Sequence, residues 1–169
     1  MLVAVTIDVD YTNYLIGKQT DEISCIFSGF KRLCKQYDFF KTTWFIRIDS
    51  QIEEIYGDAL YILKKHHKEI QWLQDNGHEI GWHHHRNKKE NGHWLQETEE
   101  EKVRINMKKY GSIALRNGMN ICRMGWGFHT NKTFSVIEQL GFIIDSSAIP
   151  CPQYKCEMSV KNWTTTKLI

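Results

Sequence analysis

The sequence has no apolar run near the roughly 18 residues that a membrane-spanning helix needs. Its first residues, MLVAVTIDVD, contain no basic leader, which argues against a secretion signal. Neither sign of charge prevails: 22 basic and 20 acidic side chains give a formal net charge of +2, without the basic stripe of a nucleic-acid-binding domain. These absences predict a cytoplasmic globular protein with no membrane span and no nucleic-acid partner.

The five cysteines are an odd number without paired spacing, which indicates reduced thiols rather than a disulfide framework. Cys151 and Cys156 could form half of a zinc site, but no second pair accompanies them, so loop or core positions are favoured. Repeats and low-complexity linkers are also missing. With 169 residues, 41% of them hydrophobic, the sequence predicts a single domain over residues 1–169.

What the sequence does contain is an alternation of short apolar segments with longer amphipathic ones. The apolar segments predict five strands, at residues 2–7, 42–48, 78–82, 121–124 and 142–145. Helical spacing predicts helices over 21–34, 52–74 with an interruption near Gly57, 97–116 and 132–140. The basic stretch 86–89 is interpreted as a solvated loop. Strands alternating with helices indicate an α/β fold with a parallel sheet.

Charged and metal-binding side chains stand where these strands end. They are Asp8 and Asp10 after the first strand, His83 and His85 after the third, Arg123 on the fourth and Asp145 on the fifth. The carboxyl ends of parallel strands meet at one rim, where α/β proteins bind their ligands. The pattern therefore predicts one shared site.

The spacing within these groups suits a metal ion. Residues two apart in an extended segment face the same side, so Asp8 with Asp10 and His83 with His85 can each converge on one point. Two imidazoles and a carboxylate make a three-ligand set with open positions for water and substrate. The second carboxylate would serve as general base. His84 points the other way and is expected either to pack or to support the ligands without binding the metal itself.

Four motifs in order, TIDVD (6–10), GHEIGWHHH (77–85), RMGWG (123–127) and DSSAIP (145–150), resemble the polysaccharide deacetylase family, the NodB-homology carbohydrate esterases. The resemblance covers nearly the whole chain. It implies a parallel-strand (β/α) barrel of the deacetylase type, distorted and incomplete. It also implies metal-dependent removal of an N-acyl group, most simply acetyl, from an amino sugar or glycan precursor such as one used in bacterial surface-glycan synthesis.

The resemblance also implies roles for single residues. Asp8 matches the catalytic base and Asp10 a metal ligand, although the family's two aspartates are adjacent. His83 matches the first histidine ligand, while the second, four residues on, is replaced by Asn87. His85 is the natural substitute, with His84 and Asn87 as alternatives. Zinc is the expected divalent metal, with nickel, cobalt and iron as other possibilities.

The third and fourth motifs supply the surroundings of the predicted reaction. Arg123 matches an arginine that pairs with the catalytic aspartate, and Gly125 replaces the family's proline. The Trp126 amide matches an oxyanion donor, and its ring could wall a sugar groove. Asp145 matches the residue that tunes the catalytic acid.

The family's last motif, Leu-x-x-His, has no counterpart, because no histidine follows His129. The general acid is therefore unassigned by the sequence, and an alternative hypothesis is an impaired deacetylase-like domain that binds glycan or metal without turnover. A third hypothesis is a phosphoesterase or other metallohydrolase with the same ligands. The sugar and the oligomeric state are not predicted.

Overall fold

A parallel sheet forms the centre of the computed structural model, which describes residues 4–10, 22–37, 41–127 and 129–147. The strands are β1 (Val5–Val9), β2 (Thr42–Arg47), β3 (Glu79–His84), β4 (Asn87–Glu90), β5 (His93–Gln96), β6 (Ile121–Met124) and β7 (Ile144–Asp145). Five of them pair in the order β1-β2-β3-β6-β7, every pair parallel. The predicted α/β fold with a parallel sheet is confirmed.

Helices connect successive strands of this sheet. They are α1 (Glu22–Gln36), α2 (Ser50–Tyr56), α3 (Tyr61–Lys65), α4 (His67–Asp75), α5 (Glu100–Arg116) and α6 (Asn131–Leu140). The helical stretch predicted over 52–74 is divided, and its first break is at Gly57, whose φ of 73° ends α2. Residues 2–3 of the first predicted strand and Asp21, the predicted start of α1, lie outside the described residues.

One face of the sheet is covered by helices and carries the apolar core. Because residues paired between strands point to the same side, the register assigns to this helix-covered face Ile7, Val9, Trp44, Ile46, Ile80, Trp82, His84, Cys122, Met124 and Asp145. Phe27 of α1 stacks on Trp44 with ring centroids 4.9 Å apart, and Trp82 stacks on Phe142 at 5.2 Å. Trp44 and Trp82 are completely buried, so each contributes a few kcal/mol by area removed from water.

The opposite face, called the site face below, has a different composition. Toward the carboxyl ends of the strands, the same register assigns to it Asp8, Phe45, Arg47, Gly81, His83 and Arg123. Four of these six residues have ionisable side chains, and these four lie on four neighbouring strands. The fold thus gathers on one face the groups that the sequence distributes over more than a hundred residues.

The stretch 86–89, predicted as a solvated loop, is instead the start of an antiparallel hairpin of β4 and β5. Its turn is Asn91-Gly92, both left-handed with φ of 50° and 79°, as the two-residue turn of a twisted hairpin requires. The prediction was wrong because it took the charges of this stretch as the mark of a loop, whereas they have partners in the folded protein. Lys89 lies 2.7 Å from Glu54 of α2 and over the ring of Trp94. The Asn91-Gly92 dipeptide was the signal in the sequence that could have predicted the turn of this hairpin.

Within the described residues, β1 and β7 form the two edges of the sheet, and its closure into a barrel stays a prediction. The end of the DSSAIP motif, Cys151 and Cys156 lie outside the described residues. None of the helices in the described ranges combines the length and the apolar character needed to cross a membrane.

Candidate metal centre

Asp10, His83 and His85 come together where β1 and β3 end. Each offers one ligand atom, and the three atoms lie within 4.8 Å of one another. The Nε2 atoms of His83 and His85 are 2.9 Å apart, and His85 Nε2 lies 3.5 Å from Asp10 Oδ2. Both imidazoles are buried, whereas the Asp10 side chain is 35% exposed. The result is a small three-donor cluster with one side open to solvent.

The donor set fits a divalent cation. Tetrahedral zinc with bonds of about 2.0–2.1 Å to nitrogen separates its ligand atoms by roughly 3.3 Å. This is close to the 2.9 and 3.5 Å that separate His85 Nε2 from His83 Nε2 and from Asp10 Oδ2. His83 Nδ1 lies 3.1 Å from the carbonyl oxygen of Arg123. If Nδ1–H donates to that carbonyl, the lone pair of Nε2 faces the cluster, which is the usual orientation of a metal-binding histidine.

The electrostatics of the site favour neutral imidazoles. Burial lowers the pKa of His83. Burial also lowers the pKa of His85, to about 2, and the neighbouring guanidinium of Arg47 adds to that shift. Neutral imidazole is the form that binds metal, so no proton has to leave these rings at neutral pH.

Arg47 is a member of the site that the sequence reasoning missed. It is the last residue of β2, its side chain is buried, and its Nη1 donates to Asp10 Oδ1 at 2.9 Å. A single arginine at the end of a strand with no other charged residue, TTWFIR, was the signal that could have found it. A buried guanidinium needs acidic or amide partners, so such a position predicts a polar network.

The predicted pair of Asp8 and Arg123 lies beside the cluster on the site face. Arg123 Nη1 is 2.9 Å from Asp8 Oδ1, and the guanidinium carbon lies 4.4 Å from the centre of the Phe45 ring. The remaining nitrogens of Arg123 donate to the carbonyl and hydroxyl oxygens of Ser146 at 3.1 and 2.8 Å. The Asp8 side chain is 38% exposed, so its carboxylate is both oriented and accessible to water.

Gly125 and Trp126 form the wall on the other side of His85. The Trp126 ring meets the His85 ring edge-on at 4.3 Å, and its side chain is 56% exposed. Trp126 also has a φ of 57°, a strained value of the kind that clusters at functional sites. A Cβ added at Gly125 would lie 2.5 Å from His85 Nε2 and 2.7 Å from its Cγ. Glycine therefore makes room for the His85 ring.

Asp145 is separated from the other predicted site residues, because its side chain is on the helix-covered face. It is buried, it accepts hydrogen bonds from the Ser147 amide and hydroxyl, and its Oδ2 lies 2.9 Å from His129 Nε2. The Ser147 hydroxyl in turn accepts from the Met124 amide at 2.7 Å. This chain of contacts joins the ends of β6 and β7.

The two alternatives for the second histidine ligand are directed elsewhere. The His84 ring is buried on the helix-covered face, 5.0 Å from the Trp82 ring, and burial lowers its pKa to about 4. Asn87 is buried and donates from its side-chain amide to Gln51 Oε1 at 2.9 Å. Of the candidates, His85 is the one that the structure places beside His83 and Asp10.

No family model and no curated protein matches this sequence. Among solved structures, the fold is similar to a protein from Mycobacterium smegmatis that is provisionally described as a polysaccharide deacetylase. The TM-score is 0.55 at 20% identity, and the match covers 86% of this chain and 50% of that chain. This chain thus spans half the length of that structure, and the likeness is one of fold.

Proposed function

We propose that this protein is a metal-dependent hydrolase that removes an N-acyl group, most simply acetyl, from an amino sugar or glycan precursor. The observation that supports the proposal is the placement of two units side by side at one rim: the Asp10–His83–His85 cluster and the Asp8–Arg123 pair. A deacetylase-like fold adds to it.

In this proposal the metal is held by Asp10, His83 and His85, with zinc as the first candidate because of the nitrogen and oxygen donors. A bound divalent cation would supply Lewis acidity, which polarises an amide carbonyl and lowers the pKa of water. The buried imidazoles exclude solvent from one side of the site. The exposed side of Asp10 leaves an approach for the substrate.

Asp8 is the proposed general base. Arg123 orients its carboxylate, and the contacts of Arg123 with Ser146 and Phe45 hold the guanidinium in turn. Asp8 takes a proton from the attacking water, while the water oxygen forms a bond to the acyl carbon. The protonated Asp8 then donates its proton to the leaving nitrogen. The C–N bond then breaks to give a carboxylate and an amine.

Trp126 and Asp145 have supporting roles in the proposal. The Trp126 amide stabilises the negative charge that develops on the acyl oxygen, and its exposed ring offers an apolar wall for a sugar. Asp145 acts indirectly, from the helix-covered face. It accepts a hydrogen bond from the Ser147 hydroxyl, and that hydroxyl accepts one from the Met124 amide, two residues before Trp126.

The test is acetate release from N-acetyl amino sugars by zinc-loaded protein, compared with an Asp8→Asn variant under the same loading. We expect a loss of at least 100-fold in the variant, in the range typical of removing a general base. Equal rates in the two proteins would remove Asp8 from the mechanism.

A second candidate function is favoured by the unusual ligand spacing, since Asn87 stands where the resemblance expects the second histidine and His85 takes its place. In that case the protein is a deacetylase-like domain that binds metal or glycan without turnover. Zinc binding with no acetate release from any N-acyl sugar would support it. Hydrolysis of aryl phosphates but not of amides would instead single out a phosphoesterase with the same ligands.

A further inference from the structure

Arg47 is a fully charged side chain at a buried position beside the candidate ligands. Its exposed fraction is only 2%, and removing a guanidinium from water is unfavourable unless fixed partners replace the water. Its partners are therefore informative about what the residue does. The partners described below lie on two segments of the chain, one at Asp10 and one at residues 49–51.

Asp49 and Gln51 both bind the guanidinium of Arg47. Nε and Nη2 of Arg47 both lie 2.8 Å from Asp49 Oδ2, and Nη2 donates to Gln51 Oε1 at 2.6 Å. These partners are themselves anchored. Asp49 Oδ1 caps α2 by accepting the amides of Gln51 and Ile52, each at 3.0 Å, and the Asn87 side chain donates to Gln51 Oε1.

The remaining terminal nitrogen, Nη1, is directed at Asp10. Nη1 donates a hydrogen bond to Oδ1 of Asp10 at 2.9 Å. The other carboxylate oxygen of Asp10, Oδ2, lies 3.5 Å from His85 Nε2. The planar fork of arginine can meet all these partners at once in one geometry, which the single ammonium of lysine cannot.

We propose that Arg47 is a positioning residue of the metal centre: it takes one oxygen of Asp10 and thereby presents the other to the histidines. Asp10 is then a ligand through Oδ2 alone. The inference rests on the proposed function, since it assumes that the cluster binds a metal. It assigns the Arg47–Asp49–Gln51 network to the support of Asp10 rather than to catalysis.

The experiment measures zinc affinity by chelator competition, and the arrangement of ligands by the absorption spectrum of the Co²⁺-loaded protein. In Arg47→Lys the positive charge remains but the fork is lost. We expect zinc to bind 10- to 100-fold more weakly, the usual effect of losing a partner of a metal ligand, with a changed Co²⁺ spectrum. Gln51→Met, which removes one anchor, is expected to give a smaller loss in the same direction.

Two further variants keep the result interpretable. The double variant Arg47→Met, Asp49→Leu removes the buried pair together, so that neither charge is left unpaired if Arg47→Lys does not fold. It is expected to lose affinity as well. Arg123→Lys is the matched control, because this guanidinium pairs with Asp8 rather than with a ligand, and its zinc affinity is expected to be unchanged.

Wild-type zinc affinity or tighter binding in the folded Arg47 variants would overturn the assignment, since it would mean that Arg47 contributes only repulsion or structure. Failure of the unmodified protein to bind zinc or Co²⁺ is a different result. It would remove the proposed metal centre, and the role of Arg47 with it.

Discussion

Both faces of the sheet carry aspartates beside basic side chains, but the aspartates of the two faces have different proposed roles. On the site face, Asp8 and Asp10 pair with Arg123 and Arg47, and both carboxylates are more than a third exposed. On the helix-covered face, Asp145 lies against His129 with both side chains almost completely buried. A carboxylate that must exchange protons or hold a metal has to reach water and substrate. Exposure, more than pairing, therefore distinguishes the candidate chemical groups from the supporting one.

The most direct test of this difference between the faces is to replace one aspartate on each face by asparagine. Asp8→Asn is expected to reduce turnover at least 100-fold while the melting temperature stays nearly constant, because the side chain is accessible and loses only its charge. Asp145→Asn is expected to lower the free energy of unfolding by roughly 1–3 kcal/mol, because a buried charge-assisted network is weakened. Acetate release and thermal denaturation measure the two effects.

The opposite pattern, with stability lost in Asp8→Asn and turnover lost in a stable Asp145→Asn, would reverse the assignment of the faces. It would support for Asp145 the role that the resemblance implies, that of tuning the catalytic acid.

The next largest effect concerns the room made for His85. Gly125→Ala places a methyl group closer to the His85 ring than van der Waals contact allows, so the ring must move. The backbone at Gly125 is not left-handed, so steric contact is the main obstacle to alanine there. We expect zinc affinity to fall about 10- to 100-fold, as for other losses of ligand orientation.

Gly29→Ala is the control for that substitution. Gly29 lies in α1, and the nearest atom to an added Cβ is 3.9 Å away, so alanine is expected to leave zinc affinity unchanged and to stabilise the helix slightly. Chelator competition on both variants tests the difference. Equal affinities in the two would mean that His85 has other room to occupy.

The smallest effect is a pH dependence of stability at the far end of β3. Burial lowers the pKa of His78, whose Nδ1 accepts the Thr42 amide at 3.1 Å. The unfolded chain therefore binds the proton more readily than the folded chain, and stability should be complete above the ordinary histidine pKa of about 6.5 and decline as the pH falls below it.

His78→Asn supplies an acceptor oxygen near the position of Nδ1 but does not titrate. The difference in unfolding free energy between wild type and this variant should therefore change between pH 7 and pH 5, by about 1 kcal/mol, the net contribution of one hydrogen bond. Urea denaturation at the two pH values measures it. His67→Asn, at an exposed position, should run parallel to wild type, and a parallel His78→Asn would exclude the buried imidazole as the cause.

Two of the departures from the deacetylase pattern that the sequence revealed lie close to the same candidate ligands in the structure. Gly125 stands where the family has proline, and a proline ring also carries a Cβ that would meet the His85 ring. Asn87 stands where the family has its second histidine, and it supports Gln51 in the Arg47 network. In this structure the placement of His85 beside His83 therefore goes together with the space at Gly125 and with the use of Asn87 in the Arg47 network.

Local pattern was sufficient to predict much of the fold. The fourth predicted strand, 121–124, has the predicted bounds, and the second differs by one residue. The second is a short run of β-branched and aromatic residues, a composition typical of strands. The hairpin of β4 and β5 was missed because charge was weighed above the Asn-Gly turn. For the candidate site, period-2 spacing at strand ends predicted which pairs could converge.

By itself, then, the sequence determined the alternation of strands and helices and the set of polar residues at the strand ends, since both follow from local spacing. Only the tertiary structure decided that Arg47 takes one oxygen of Asp10, that His85 lies against Gly125, and that Asp145 faces the helices. These are contacts between side chains distant in the chain. They depend on register and on the space left by neighbours, which no local pattern encodes.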